Sequence, residues 1–449
     1  MQSQHHLITN PFIPAAPGAI SWTRFTAQFE PYEFSGWVDE SLSWKRTAYV
    51  GDWSPLNNKV IVKGPDALRF FQDISVNSFA KFEVGQAKHS IQCAEDGKVM
   101  VEGVLMRLQE DELLFTSGPA FWTEYQFKRG NYNATLTQHG TDLFIIQLQG
   151  PNSIHILEKA TGESHRDYGF MRFRETSIAG RAFLSLRQGM SGELGFELHG
   201  RGEDALAVHQ ALLDAGEEFG VRRLGGRTKM VNHAEAAFPT PSVDFMPALY
   251  SDPDYVSYVE QHHPELLIAS RLKTSGSEQL TDIRQLYRDP TELGWIRNIK
   301  FDHEFVGRAA LEQIVAAPKR TLVSLVWNKE DVVDIFASLL GGEEPYEYME
   351  MPRGLLGTVA IDKVLIGDRQ IGVSTSRCYS HHLREMISLC SIDVDASVPG
   401  TQVEVLWGAP GARQKRVRAI VAKAPFKEDK RRIDVSTLPS YLKKAEGSV

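Results

Sequence analysis

Two stretches of this 449-residue chain, VKGPDALRFF at 62–71 and LQGPNSIHIL at 148–157, carry one signature: an apolar run, Gly-Pro, then apolar residues at helical spacing. Glycine breaks a strand, and proline suits the first turn of a helix because that turn has no use for its missing N–H. Each stretch predicts strand, turn and helix, and together they predict a body built from two related βα halves. A Gly-Pro turn is common, so the repeat constrains architecture and says nothing of chemistry.

The remaining segments fill in around that body. Lys98 to Leu108 and Glu112 to Thr116 are expected to pair as a hairpin turning at Gln109 to Asp111. Asp204 to Phe219 is expected as a helix capped by Asp204 and closed near Gly220. Val221 to Arg284 reads as a long, less regular region of the kind that lines a site. Beyond about Lys319, short strands punctuated by glycine predict a small β-barrel, with a helix inserted at Asp331 to Leu340. The expected fold class is α+β, in three parts: a wrapping segment at 1–43, a body at 44–318 and a β-barrel domain at 319–449.

Composition removes several function classes. With 42% hydrophobic and 24% charged residues the chain reads as soluble and globular, and a net charge of -8 without a basic stripe argues against a nucleic-acid partner. No apolar run is long enough to span a bilayer, and the N-terminus lacks the basic and apolar regions of a secretory signal. Cys93, Cys378 and Cys390 have no metal-ligand spacing and fit a reducing compartment. The expectation is a cytoplasmic protein with no membrane partner; the oligomeric state is left open.

Arg187 to Gly200, RQGMSGELGFELHG, is the stretch most able to carry chemistry. Gly189, Gly192 and Gly195 permit a tight turn beside a bound molecule, and Glu197 sits between Phe196 and Leu198. A carboxylate between apolar neighbours needs a partner, and an aminopyrimidine edge offers two parallel N–H donors. On these residues alone, a glycine-rich hairpin with Glu197 turned to solvent is the simpler reading.

This stretch resembles the folate-binding segment of the glycine-cleavage T-protein (aminomethyltransferase) superfamily, a pattern close to R-T-G-Y-T-G-E-D-G-F-E. The resemblance extends through the hairpin at 97–108, LQGP at 148–151, LGGR at 224–227, FDHEFVGRAAL at 301–311 and the turn from Ser374 to Ser380. Within the superfamily, EFSGW at 33–37, WNKEDVVDIFASLL at 327–340, YEYMEMP at 346–352 and VEVLWGAP at 403–410 look most similar to the tetrahydrofolate-dependent aryl O-demethylases of the vanillate and syringate type. It implies a T-protein-like folate-binding body, a C-terminal β-barrel and tetrahydrofolate as cofactor. Glu197, Gln149, Arg187 and Phe238 are the implied folate contacts.

The departures from the pattern carry equal weight. Glu102 stands at the second position of an Asp-Asp pair whose first position here is Val101, so it enters as a catalytic candidate beside the alternative of an exposed hairpin glutamate. Where the O-demethylases have a tyrosine, this chain has Lys229; His233, four residues on, is a candidate replacement because imidazole can donate a proton near neutral pH. Trp53 and Leu56 replace a histidine-bearing segment, and Thr116 stands where the relatives have an arginine suited to a carboxylate. Trp122, Phe245, Tyr250 and Tyr379 could pack against a substrate ring, or be plain core.

The implied reaction is transfer of a methyl group from a methoxylated aromatic substrate to N5 of tetrahydrofolate, giving 5-methyltetrahydrofolate and a phenol, with no metal or redox cofactor required. Two alternatives stay open. One is a sulfonium or ammonium donor, which would suit an aromatic cage and be repelled by Lys229. The other is a folate-binding protein without methyl transfer, disfavoured by RCYSHH at 377–382, which lacks the Gly-Gln-Glu of such relatives.

Overall fold

The computed structural model describes residues 19–25, 28–54, 58–118, 120–264, 273–351, 358–426 and 428–442. The two Gly-Pro stretches open two copies of one unit: strand, helix, three-stranded meander, helix, strand. The first copy runs through Asn58–Lys63, Ala67–Ile74, Ala87–Cys93, Val99–Gln109, Glu112–Ser117, Phe121–Arg129 and Thr135–His139. The second runs through Leu143–Gln149, Ser153–Thr161, Phe173–Ile178, Arg181–Leu186, Gly195–Arg201, Ala205–Gly216 and Val221–Arg223. At the turns, Gly64 and Gly150 take φ of 140° and 124°, which side-chain-bearing residues rarely adopt.

The copies differ in one insertion. In the first, the last strand pairs directly with the opening strand Asn58–Lys63 and closes a five-stranded sheet. In the second, Ala48–Asp52 intervenes, antiparallel to Leu143–Gln149 and parallel to Val221–Arg223, making six strands. Ala87, Met106 and Leu114 from one sheet pack with Leu184 and Leu186 from the other, so the two sheets abut through apolar side chains.

The C-terminal strands Arg320–Trp327, Asp362–Ile366, Arg369–Ser380, Glu385–Asp393, Gln402–Trp407 and Lys415–Ala422 form a closed barrel around Val323, Leu325, Val364, Ile371 and Val405. The inserted helix is Lys329–Ser338, capped by Asn328, whose side chain accepts from the N–H groups of Glu330 and Asp331 at 3.1 and 3.0 Å. No described helix is long and apolar enough to cross a membrane.

The less regular region expected at Val221 to Arg284 is more ordered than the sequence implies: it holds Val221–Arg223 and the helices Gly226–Ala236 and Pro253–His262. Gly226–Ala236 escaped notice because it is buried nearly all round, so no apolar stripe marks it. It packs against Trp37–Arg46, the strand Gln28–Glu33 and the barrel strand Arg369–Ser380.

All three cysteines are free and buried, and burial pushes their thiols up. The native protein should therefore resist alkylation by iodoacetamide at pH 7.5, with three equivalents reacting only after unfolding, as counted by intact mass.

Candidate functional site

Strand Leu143–Gln149 alternates in character. Phe144, Ile146 and Leu148 join Ala48, Val50, Phe196 and Leu198 in the core beneath two helices. The pleat therefore sends Gln147 and Gln149 to the other face. Register places Glu197 opposite Gln147, Gly195 opposite Gln149, and Tyr49 beside Gln149 on the far side. This face is polar although buried.

Glu197 lies at its centre, 5% exposed. Gln147 and Gln188 both donate to its Oε2, at 3.0 and 2.8 Å, and His199 Nε2 lies 3.0 Å from Oε1. Burial pushes the carboxyl up, but the contacts from His199, Gln147 and Gln188 outweigh it and hold the group below the ordinary carboxylate value. Gln149 extends the network, donating to Gln147 Oε1 at 3.0 Å and accepting from Ser191 N–H at 2.9 Å. Tyr49 donates to the same Gln147 Oε1 at 3.2 Å and accepts from Asn232 Nδ2 at 3.2 Å; burial pushes its phenol well up, so it stays protonated.

Asn232 belongs to the helix Gly226–Ala236, whose polar residues are mostly matched by segments folded around it. Glu40 accepts from Gly225 N–H at 2.8 Å and from Thr228 Oγ1 at 2.7 Å, placing a carboxylate at the positive end of the helix. A Cβ on Gly225 would come within 2.2 Å of Tyr32 O, and one on Gly226 within 2.5 Å of Glu30, so both glycines admit the N-terminal strand. Arg227 pairs with Glu33 at 2.8 Å, and Glu235 accepts from Trp44 Nε1 at 3.1 Å and from Ser380 Oγ at 2.6 Å. Lys229 Nζ is 2.6 Å from Glu30, donates to Asp52 O at 3.2 Å and lies 4.7 Å from the ring of Trp53, which in turn stacks near Tyr49. Three buried atoms on this helix, Arg227 Nε, Asn232 Oδ1 and His233 Nε2, have no hydrogen-bond partner among the described residues.

The structure thus brings Glu197, Gln149, Lys229 and Trp53 into one connected set, through Gln147 and Tyr49. Arg187 is engaged differently: it donates to Tyr168 O at 3.2 Å and Ile433 O at 2.5 Å, tying down the C-terminal segment. Phe238 follows the helix with its ring 5.7 Å from that of His233. Glu102 is not an exposed hairpin residue; it meets His89 at 2.9 Å, and His89 meets Asn298 at 2.8 Å and the edge of Trp295. Trp295 also packs near Phe245, 6.1 Å away.

Other expected substrate contacts do not converge on Trp53. Trp122 is buried in a separate core between Tyr125 and Tyr255, and Tyr250 packs at the edge of that core. Thr116 is buried in the five-stranded sheet, paired with Lys59 and Val104. Tyr379 meets Trp37 edge-on at 6.1 Å. Leu56 lies outside the described residues. Gln147, Gln188, His199, Tyr49, Asn232 and Glu30 were missed. For Gln147 a signal existed, since it shares the phase of Gln149 in LFIIQLQ; for the others, the contacts are long-range in sequence.

His233 requires a correction. Burial, then the charge of Lys229, push its imidazole down to about 4, so it is neutral at pH 7 and is not a ready proton source. It can still donate a hydrogen bond. His165, buried and beside Arg174, is pushed down to about 4 as well. The unfolded chain takes up these protons near 6.5 and the folded chain only near 4, so stability is full above pH 6.5 and falls as pH drops toward 4. Urea unfolding across that range should show the decline, and His233→Gln should remove up to ~3 kcal/mol of it.

These residues fit a reduced pterin. The aminopyrimidine edge offers two parallel N–H donors, and Glu197 is an ionised, buried carboxylate whose present partners are likewise N–H groups. Gln149 offers both an acceptor and a donor alongside.

The comparisons agree with this chemistry. The GCVT N-terminal domain matches residues 16–249, and the glycine cleavage T-protein C-terminal barrel domain matches residues 352–427. The chain is 33% identical to a sesamin methylene transferase from Sinomonas sp. (strain No.22), over 92% of this chain and 94% of that one. It is 31% identical to a syringate O-demethylase from Sphingobium sp. (strain NBRC 103272 / SYK-6), over 88% and 89%. The crystal structure of glycine cleavage system aminomethyltransferase T from Bartonella henselae aligns with a TM-score of 0.68 at 18% identity, over 92% of this chain and 96% of that one, which shows a shared fold. The architecture is therefore the aminomethyltransferase-like α+β fold with a closed six-stranded C-terminal barrel. This chain belongs to the glycine cleavage T-protein family and is a tetrahydrofolate-dependent enzyme of the methyltransferase kind.

Proposed function

We propose that the chain is an O-demethylase that moves the methyl group of an aryl methyl ether, such as a methoxybenzoate with or without further ring substituents, to tetrahydrofolate. The observation that supports this reading is the unbroken run of contacts from Glu197 through Gln147, Tyr49 and Trp53 to Lys229, which links a buried carboxylate suited to a pterin edge to a cation. Tetrahydrofolate supplies N5 as methyl acceptor when bound. The protein's part is to orient the reactants, since displacement at carbon demands that donor and acceptor atoms be held in line.

Glu197 holds the pterin edge, and Gln149 donates and accepts beside it. The carbon–oxygen bond breaks with its electron pair on oxygen as the methyl carbon bonds to the folate nitrogen. A phenol's pKa of about 10 lets a phenolate depart without prior protonation, and the proton shed by the alkylated nitrogen balances the one that the phenolate takes up to become the phenol. Lys229, kept in place by Glu30, and the neutral imidazole of His233 stabilise the negative charge on that oxygen. Trp53 offers the substrate ring an apolar face.

A second reading is favoured by the relative named as a sesamin methylene transferase. There the reacting carbon would bridge two aryl oxygens, the products would be a catechol and a methylene-bearing folate, and the leaving oxygen would again be a phenolate.

Anaerobic incubation of the protein and tetrahydrofolate with methoxybenzoates, methylenedioxyarenes, sulfonium donors and betaines separates these readings by the mass of the folate product. Methyl transfer from aryl ethers alone supports the proposal, and methylene transfer alone supports the second reading. Methyl transfer only from sulfonium or ammonium donors overturns both, as does folate binding without transfer.

A further inference from the structure

We propose that Thr240 is a positioning residue that sets the tautomer of His233, so that Nε2–H of a neutral imidazole is presented to the departing oxygen of the donor substrate. The inference rests on the function proposed above.

His233 Nδ1 lies 2.7 Å from Thr240 Oγ1. Either atom could donate, but the alternatives are unequal. If the imidazole donated, the hydroxyl hydrogen of Thr240 would be left with Phe238 O at 3.5 Å, beyond the 2.5–3.0 Å range of a sound O–H···O bond. Donation from the hydroxyl to Nδ1 satisfies both groups at the shorter distance. Nδ1 then has no proton, and a neutral ring must carry it on Nε2.

Thr240 is itself held. Its backbone N–H donates to Asp244 Oδ2 at 2.8 Å, and Asp244 Oδ1 accepts from Thr375 and Ser376 at 2.5 and 2.6 Å. The threonine is thus fixed to the wall of the barrel. Nε2 is buried, His233 is 7% exposed, and no described residue accepts its proton. Buried donors in native structures are nearly always matched, so a bound acceptor is the natural partner. Helical spacing places His233 one turn from Lys229, and the charge of Lys229 acts on the ring, so the two lie near one another. The pushed-down pKa of the imidazole is consistent with a ring that binds through one N–H and does not transfer a proton.

The test uses the full chain labelled with 15N-histidine, the His233 signals being identified by their loss in His233→Gln. Wild type should show a protonated Nε2 and a bare Nδ1, and Thr240→Val should shift the ring toward the other tautomer. Thr240→Ser, which keeps the hydroxyl, should restore the wild-type pattern. With a productive aryl ether, Thr240→Val should lower kcat roughly tenfold, the scale of one modest hydrogen bond, with KM for tetrahydrofolate unchanged. A protonated Nδ1 in wild type overturns the proposal, as does a spectrum unmoved by Thr240→Val. Weakened tetrahydrofolate binding with unchanged kcat overturns the assignment to the departing oxygen, because the acceptor would then be on the pterin. If no ether is turned over, the proposed function fails and the spectra alone decide whether Thr240 sets the tautomer.

Discussion

Replacing Glu197 by glutamine should weaken tetrahydrofolate binding by about 30- to 150-fold while leaving the fold intact. The variant keeps the shape but exchanges one acceptor for a donor, and it removes the charge that a pterin N–H pair would meet. Hydrogen bonds to a charged group contribute ~2–3 kcal/mol, which corresponds to that range. Gln147, Gln188 and His199 converge on the same carboxylate, so the amide also sets a new N–H against existing N–H groups. Titration calorimetry with tetrahydrofolate measures the loss, and unchanged circular dichroism excludes unfolding. Affinity within threefold of wild type would remove Glu197 from the cofactor site.

The second large effect is expected at Lys229. Lys229→Met should lower kcat by on the order of 100-fold, because the charge on the departing oxygen loses its cation. It should also destabilise the protein by ~3–5 kcal/mol, since Glu30 is 6% exposed and would be left as an unpaired buried carboxylate. The paired change Lys229→Met with Glu30→Leu separates the two effects: most of the stability returns, because the uncompensated charge is gone, and the activity does not. Thermal unfolding and steady-state rates on both variants provide the readings. Recovery of activity in the double variant would reduce Lys229 to a structural partner of Glu30.

Legibility differed from element to element for identifiable reasons. VKGPDALRFF and LQGPNSIHIL announced the duplication because glycine and proline act locally, and the barrel announced itself through short alternating strands. Glu197 was legible only through the resemblance of RQGMSGELGFELHG to a folate-binding segment; its neighbours alone favoured a carboxylate turned to solvent, whereas it is buried. The helix Gly226–Ala236 was not legible: Arg227, Thr228, Lys229 and Glu235 are satisfied by Glu33, Glu40, Glu30 and Ser380, all distant in sequence. A buried polar helix has no periodic face, and no rule of spacing reveals it. His233 shows the same limit from another side. Its presence beside Lys229 was readable, but burial and that same charge turned an expected proton donor into a neutral ring.

What the sequence determined by itself is what short-range chemistry controls: the repeated strand, turn and helix units and the closed barrel of short strands. What the tertiary structure alone decided is which groups meet. Strand register set Gln147 and Gln149 beside Glu197, and the N-terminal strand brought Glu30 to Lys229. Those pairings arise between residues far apart in the chain, so their identities and protonation states depend on burial and proximity, which exist only once the chain has folded.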